Sequence, residues 1–303
     1  MGGNFSINPI NALTKRRLSR KVCGTDNKHI TTRIHMKRTI RLIASALVVA
    51  AGLVSCRTVP FTDRTQLMLT SEAEETQMGL TAFTQYKRQY SVSSNGTYNA
   101  ALSRCGNAIV NSSGLTTDYK WDFQVFQSNE QNAFALPGGK VAVYSGLMDL
   151  MRNEAELAFV VAHEIAHVYA RHAGERLSWG QITDFGASVV AVAVDDSYSE
   201  SAQMLYKLGA ELGVMKPFSR SNEYEADQIG MLLMAKAGYD PNSAIEFWSR
   251  FTEGGEGESD ILSGLMSTHP RDEDRIEAMQ EVLPSAMELY QKAKVKRGKG
   301  STL

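Results

Sequence analysis

Apolar and polar positions along the chain change rhythm several times, and each change predicts an element. Residues 72–90 and 98–112 carry apolar side chains at helical spacing, with Leu80, Phe83, Tyr86 and Tyr90 in the first and Leu102, Ala108 and Ile109 in the second. Trp121, Phe123 and Val125 then alternate with polar residues, the signature of a half-buried strand. Asn132 to Gly139 predicts a strand entering a turn at Pro137-Gly138-Gly139, and Lys140 to Tyr144 a returning strand. From Asn153 to about Arg176 the chain predicts one helix, capped by Asn153 with Glu156 completing a capping-box-like signal. It is apolar almost all round and therefore buried. Ser221 to Ala237 predicts a further helix, stopped by Gly238, Asp240 and Pro241. A small sheet followed by helices gives an α+β fold.

The N-terminal pattern is of another kind. Residues 1–41 hold ten Lys and Arg against one acid, and an apolar run of 14 residues follows, Leu42 to Ser55. As a helix that run reaches about 21 Å, short of a hydrocarbon core about 30 Å thick. A basic stretch, a short apolar run and small residues read as a secretory signal. The ending Leu53-Val54-Ser55-Cys56 resembles a bacterial lipobox, whose cysteine is acylated and becomes the first mature residue. We therefore divide the chain into 1–35, an extension upstream of a start at Met36; 36–55, a lipoprotein signal; 56–71, anchor and extended tether; and 72–303, the folded domain. Multiple acyl chains on Cys56 make a firm membrane anchor.

Composition narrows the field. With 32 Lys and Arg against 33 Asp and Glu, the net charge of −1 offers no basic stripe for nucleic acid. Three cysteines, Cys23, Cys56 and Cys105, form neither a disulfide framework nor a zinc knuckle. Cys105 reads as a small core residue. The apolar stretch at 180–215 reads as a buried helix or a membrane-facing lid. The acidic, Gly-rich run Glu253 to Asp260 reads as a mobile loop, and the basic C-terminal cluster from Lys292 to Lys299 as a frayed tail.

Into the most apolar helix the sequence inserts His163-Glu164-Ile165-Ala166-His167. This is the H-E-x-x-H arrangement. Residues i and i+4 share a face, so both imidazoles can reach one ion at about 2.0–2.1 Å. Glu164, one residue on, points beside the ion, where it can take a proton from the water that attacks a carbonyl. Two histidines and a glutamate in a buried helix would be costly without such a partner. A catalytic zinc takes three protein ligands. Glu223 and Asp227 share a helical face at i, i+4; one can bind the ion while the other orients a ligand histidine, and spacing does not say which. Glu225 points elsewhere and reads as a solvated charge, and His172 as a structural residue rotated off the ligand face.

Four stretches, NAFALPGGKVAVYSGL, ELAFVVAHEIAHVYARH, SRSNEYEADQIG and STHPRDEDRI, resemble the M48 peptidases, a family of gluzincins, in order and over roughly residues 60–282. The lipobox and the VPFTDRTQLMLTSEAEETQMG stretch after it are similar to the family's periplasmic lipoprotein branch. The resemblance implies a mostly helical zincin-like domain with a small sheet beside the H-E-x-x-H helix, and one Zn2+ per chain. It implies His163, His167 and Glu223 as zinc ligands, Asp227 as the residue behind a ligand histidine, and Glu164 as the base of an endopeptidase. His269-Pro270 and Arg275 resemble the family's H-P-x-x-x-x-R arrangement. Either group could stabilise an oxyanion, His269 could instead be a removable fourth zinc ligand, or the pair could be a plain turn capping the last helix. Asn132, Ala133, Phe134 and Ala135 resemble the family's edge strand, which binds extended or unfolded polypeptide by main-chain pairing; the alternative is an ordinary hairpin. The expectation is a lipid-anchored, periplasm-facing endopeptidase of the bacterial envelope acting on misfolded or unassembled proteins. Arg57, not Asp, follows Cys56 and inclines the reading to the outer membrane. A chaperone-like binding lipoprotein with a structural or closed zinc site is the competing expectation.

Overall fold

The computed structural model describes residues 56–115, 119–193, 219–252, 263–269 and 274–298. The signal and upstream extension, residues 194–215 of the apolar stretch and the Glu253 to Asp260 run lie outside the described residues, while 180–193 is helical.

The described chain begins with a two-stranded antiparallel pair, β1 (Cys56–Thr58) and β2 (Thr65–Leu67). Helices α1 (Glu72–Gln89) and α2 (Gly96–Ser112) follow, then strands β3 (Asp122–Phe126), β4 (Ala133–Leu136) and β5 (Lys140–Tyr144). The rest is helical: α3 (Ser145–Met148), α4 (Glu154–Tyr169), α5 (His172–Ala193), α6 (Arg220–Lys236), α7 (Asn242–Thr252), α8 (Ser263–Thr268) and α9 (Asp274–Lys292). The α+β expectation holds. Among the described residues no helix is long and apolar enough to cross a membrane.

Strand β5 lies at the centre of the three-stranded sheet, parallel to β3 and antiparallel to β4, in the order β3-β5-β4. Pro137, Gly138 and Gly139 join β4 to β5, and both glycines have φ near +80°, a conformation that β-carbons disfavour. Side chains alternate across the sheet. Val125, Ala133, Val141 and Val143 face the main core with α2, α4 and α6. Phe83, Phe126, Ala142 and Tyr144 form a second cluster with Tyr86, Tyr90, Phe134 and Leu136. Both faces of β5 are covered, so all five of its residues are buried.

Helix α4 is buried at every position, as its all-round apolar sequence requires. Asn153 caps it by accepting from the amides of Ala155 and Glu156, but Glu156 reaches past the cap to the Arg152 amide and pairs with Arg250. The reciprocal capping box is at α1, between Ser71 and Glu74.

Three local expectations are corrected. First, the helix expected to run to Arg176 breaks after Tyr169. Arg171 adopts φ +52°, and a new helix starts at His172. That left-handed turn at a residue with a β-carbon costs about 1–2 kcal/mol. It is held by Arg171 itself, whose guanidinium pairs with buried Glu75 and donates to the Thr70 carbonyl. Second, residues 57–71 are folded onto the body. Val59 is fully buried, and Arg64 bridges Glu175 of α5 and Glu225 of α6. Third, the C-terminal basic cluster docks as far as Gly298. The Arg297 amide donates to the Gly238 carbonyl and its Nε to the Ala237 carbonyl, closing the end of α6, while Lys296 binds carbonyls at the end of α9.

Candidate metal centre

Helix α4 carries His163, Glu164 and His167 into the interior, and α6 crosses it closely. A β-carbon on Gly230 of α6 would lie 3.0 Å from the His163 amide nitrogen, so any larger residue requires the crossing to give by a few tenths of an ångström. The crossing brings Glu223 and Asp227, one turn apart on α6, against the imidazoles. His269, just beyond α8, completes the group.

Donor atoms of His163, His167, Glu223 and His269 all lie within 4.8 Å of one another, and all four residues are buried. The Nε2 atoms of His163 and His167 are 3.1 Å apart. Each lies 3.5 Å from a Glu223 oxygen. The Nδ1 of His269 is 3.2 Å from His163 Nε2 and 3.0 Å from Glu223 Oε2. A tetrahedral zinc with bonds of about 2.0–2.1 Å has ligand atoms about 3.3 Å apart, and these separations bracket that edge. Lone-pair-bearing nitrogens and oxygens converge on one point, so the donor set fits zinc. His163, His167 and Glu223 would hold it, and His269 Nδ1 lies against two of these donors.

Around these donors the charges are tightly paired. His163 Nδ1 lies 2.9 Å from Asp227 Oδ1, and Arg275 grips the same carboxylate at 2.7 and 2.8 Å. Burial pushes the Asp227 carboxyl up, but Arg275 and His163 outweigh it and hold it below its ordinary value. Burial likewise opposes ionisation of Glu223, yet His269, His163 and His167 keep it well below the usual carboxylate range. His269 is disfavoured as a cation by burial, and Glu223 and Glu164 reverse this, raising it to about 10. His167 is driven well below its ordinary value, chiefly by burial. Glu164 Oε1 faces His269 Nε2 at 3.2 Å but makes no well-oriented hydrogen bond.

Sequence spacing left Glu223 and Asp227 exchangeable; geometry separates them. Only Glu223 reaches the Nε2 atoms, while Asp227 touches His163 on the opposite ring nitrogen. Arg275, expected as an oxyanion-stabilising cation, is turned inward. It is 2 % exposed, bound to Asp227 and Glu223, and stacks 4.4 Å over the Trp248 ring.

One expectation fails and one holds only in part. Glu225 is no solvated charge but 5 % exposed, bonded by His172, Arg64 and Thr62. His172 stays outside the donor group, as expected of a structural residue, but it is not turned away from His167: its Nδ1 lies 2.7 Å from Nδ1 of His167. In a continuous helix i+5 does fall on another face; the break at Arg171 swings it back. Arg64 was not singled out from sequence at all, and a lone arginine in a polar stretch carries no signal of its distant partners.

Asn132 to Ala135 lie along the edge strand of the sheet, Ala133 buried and the other three half-buried. The Tyr144 amide donates to the Asn132 carbonyl. By the alternation of an antiparallel ladder, Phe134 also pairs with β5 while Ala133 and Ala135 turn their main-chain groups outward. The Ala133 amide is taken by the Asn132 side chain. Ala135 shares a small cleft with Tyr119, Pro137, Val168, Arg171 and His167. A second, apolar niche beside His163, Glu164 and His269 is lined by Phe159, Val160, Phe247, Trp248 and Leu265. Cys56 is exposed at the start of β1, and Cys105 is buried.

Comparison with known proteins identifies the family. Residues 97–283 match the model of peptidase family M48. The chain is 38% identical over 185 residues to the mitochondrial metalloendopeptidase OMA1 of Schizosaccharomyces pombe, covering 61% of this chain and 53% of that protein. It is 35% identical over 191 residues to the putative beta-barrel assembly-enhancing protease of Vibrio cholerae, covering 60% and 38%. With the human mitochondrial metalloendopeptidase OMA1 it shares 32% over 176 residues, covering 56% and 33%. The matched region thus spans between a third and about half of these relatives. Since the matched residues include the H-E-x-x-H helix, Glu223 and His269, the chain belongs to peptidase family M48.

Proposed function

We propose that this chain is a zinc-dependent endopeptidase of the bacterial cell envelope, cutting misfolded or unassembled proteins presented as extended segments. The observation that carries it is the convergence of His163, His167, Glu223 and His269 donors, with Glu164 Oε1 3.2 Å from the His269 imidazole. A zinc ion held there supplies Lewis acidity, lowering the pKa of water and polarising the scissile carbonyl. His163 donates Nδ1–H to Asp227, which keeps its Nε2 lone pair directed at the ion. Arg275 neutralises Asp227 and braces Glu223, so the site's carboxylates stay ionised. Glu164 accepts the proton of the attacking water and returns it to the leaving amine. The outward carbonyl of Ala133 and the outward main-chain groups of Ala135 pair with the substrate backbone, a mode that makes few demands on side chains. The envelope assignment is supported by the lipobox-like run at Cys56, by the likeness to a beta-barrel assembly-enhancing protease, and by that protein's bacterial source. Acylation of Cys56 and outer-membrane attachment are part of the same reading.

His269 supports a resting state that is closed. Its Nδ1 takes the position a water would need, and its Nε2 faces the base. This favours the removable-ligand role over oxyanion stabilisation. It also keeps alive a second reading, a chaperone-like binding lipoprotein whose zinc site is permanently shut.

Zinc content and casein digestion, measured with and without chelator and zinc add-back, test both. Glu164→Gln should retain zinc and lose about 10²–10⁴-fold in turnover, whereas His163→Ala should lose the metal. His269→Ala should keep zinc and cleave faster than wild type. Undiminished turnover in Glu164→Gln would refute the catalytic assignment. A zinc-loaded His269→Ala protein that cleaves nothing favours the binding protein.

A further inference from the structure

The two ligand imidazoles of α4 are supported in different ways. His163 rests directly on a carboxylate, Asp227, backed by Arg275. His167 rests on a second imidazole. Its Nδ1 is 2.7 Å from His172 Nδ1, and His172 Nε2 is 2.9 Å from Glu225 Oε2. Glu225 is in turn gripped by Arg64 through Nε at 2.9 Å and by the Thr62 hydroxyl. Arg64 is fixed from its other side by two bonds to Glu175 at 2.7 and 2.8 Å.

Hydrogen placement along this chain has a single consistent solution once the metal-centre reading is accepted. His167 offers the Nε2 lone pair to the ion, so its hydrogen is on Nδ1 and is donated to His172. His172 must then accept on Nδ1 and carry its own hydrogen on Nε2, where Glu225 receives it. Every ring nitrogen has one role, and the final acceptor is a carboxylate neutralised by an arginine. We propose that His172 is a positioning residue for the metal centre, with Glu225 and Arg64 behind it, fixing the tautomer and orientation of His167. The left-handed turn at Arg171 has its purpose here: it breaks the helix where the next side chain must swing back onto His167. Arg64 and Thr62 lie between the paired strands β1 and β2, so the segment just after Cys56 supports the metal centre.

This inference rests on the metal-centre reading, and zinc binding by the full chain separates the two. Zinc affinity is measured by competition with a chromophoric chelator, and the ligand field by the visible spectrum of the cobalt-substituted protein. His172→Phe keeps ring volume but removes both nitrogens; it and Glu225→Gln should weaken zinc binding about 10–100-fold. Arg64→Met should weaken it less, in the same direction. His172→Asn, whose amide oxygen can accept where Nδ1 did, should recover most of the affinity. The cobalt spectrum should change in His172→Phe and stay unchanged in Arg104→Met. The latter breaks an Arg–Glu pair of the main fold, with Glu154, away from the centre. A role in packing alone would lower the unfolding midpoint of all these variants without moving the zinc constant. Wild-type affinity in folded His172→Phe, Glu225→Gln and Arg64→Met overturns the proposal. Should His172→Phe not fold, the Glu225 and Arg64 variants decide. A wild-type chain that takes up no zinc would instead overturn the metal centre itself.

Discussion

At the scale of single residues, ionisable groups sit where burial and partners oppose each other. Glu225 is the clearest case: burial would raise its carboxyl, but His172, Arg64 and Thr62 hold it at about 2, against an ordinary 4.5. A depressed carboxyl contributes stability above its unfolded value, and the contribution is lost as pH falls from about 4.5 towards 2. Glu225→Gln should therefore lower stability by about 1–3 kcal/mol at pH 6, the worth of hydrogen bonds to a charged group. In urea titrations of zinc-free protein the difference from wild type should narrow by pH 3.5. An equal gap at both pH values would show that the charge is not what matters. Cys105 gives a second test. Its thiol is fully buried and pushed far above the ordinary range, chiefly by burial. It should resist alkylation at pH 8 in native protein and react once urea unfolds the chain, as mass spectrometry would report.

The helices are the next scale, and the α4–α6 crossing decides the site. Gly230 is the point of closest approach. On an exposed helix Gly to Ala gains up to about 1 kcal/mol in propensity. Here the added methyl meets the His163 backbone at 3.0 and 3.1 Å, in a helix buried on every side. Overpacking of this kind costs about 1–3 kcal/mol, so Gly230→Ala should lower the melting temperature. Because the displaced backbone is that of a ligand, zinc affinity should fall with it. A more stable variant with unchanged affinity would mean the crossing can relax. The termination of α4 belongs to this scale too. Its start was legible from Asn153, whose short side chain meets two orphan amides. Its end was not, since Ala170, Arg171 and His172 are all compatible with continuing a helix, and what stops it is the distant pair of Arg171 with Glu75.

For the molecule as a whole, the ion would tie three elements far apart in sequence. The residues that could hold it come from α4, α6 and the position after α8, spanning His163 to His269. Binding only the folded state, zinc at a hundredfold excess over its dissociation constant adds about 2.7 kcal/mol. For a folded body of this size that is roughly 5–10 °C in melting temperature. Chelation should remove this increment from wild type and Glu164→Gln alike, and His163→Ala should lack it from the outset. Scanning calorimetry with and without chelator measures it, and a chelator-insensitive wild-type melt would count against a zinc site in the fold.

The sequence by itself determined the parts whose logic is local. The i, i+4 histidines, the adjacent glutamate, the alternation of the strands and the all-round apolar helix are written within a few residues, and backbone geometry turns each into a face or a direction. Tertiary structure alone decided that Glu223, not Asp227, meets the Nε2 atoms of both imidazoles and that His269 joins them. It also decided the inward turn of Arg275 and the relay from His167 through His172 and Glu225 to Arg64. All but the His167–His172 contact depend on atoms that meet across more than a helix length of chain, set by helix crossing. That one contact depends on a broken helix that no spacing rule foretells.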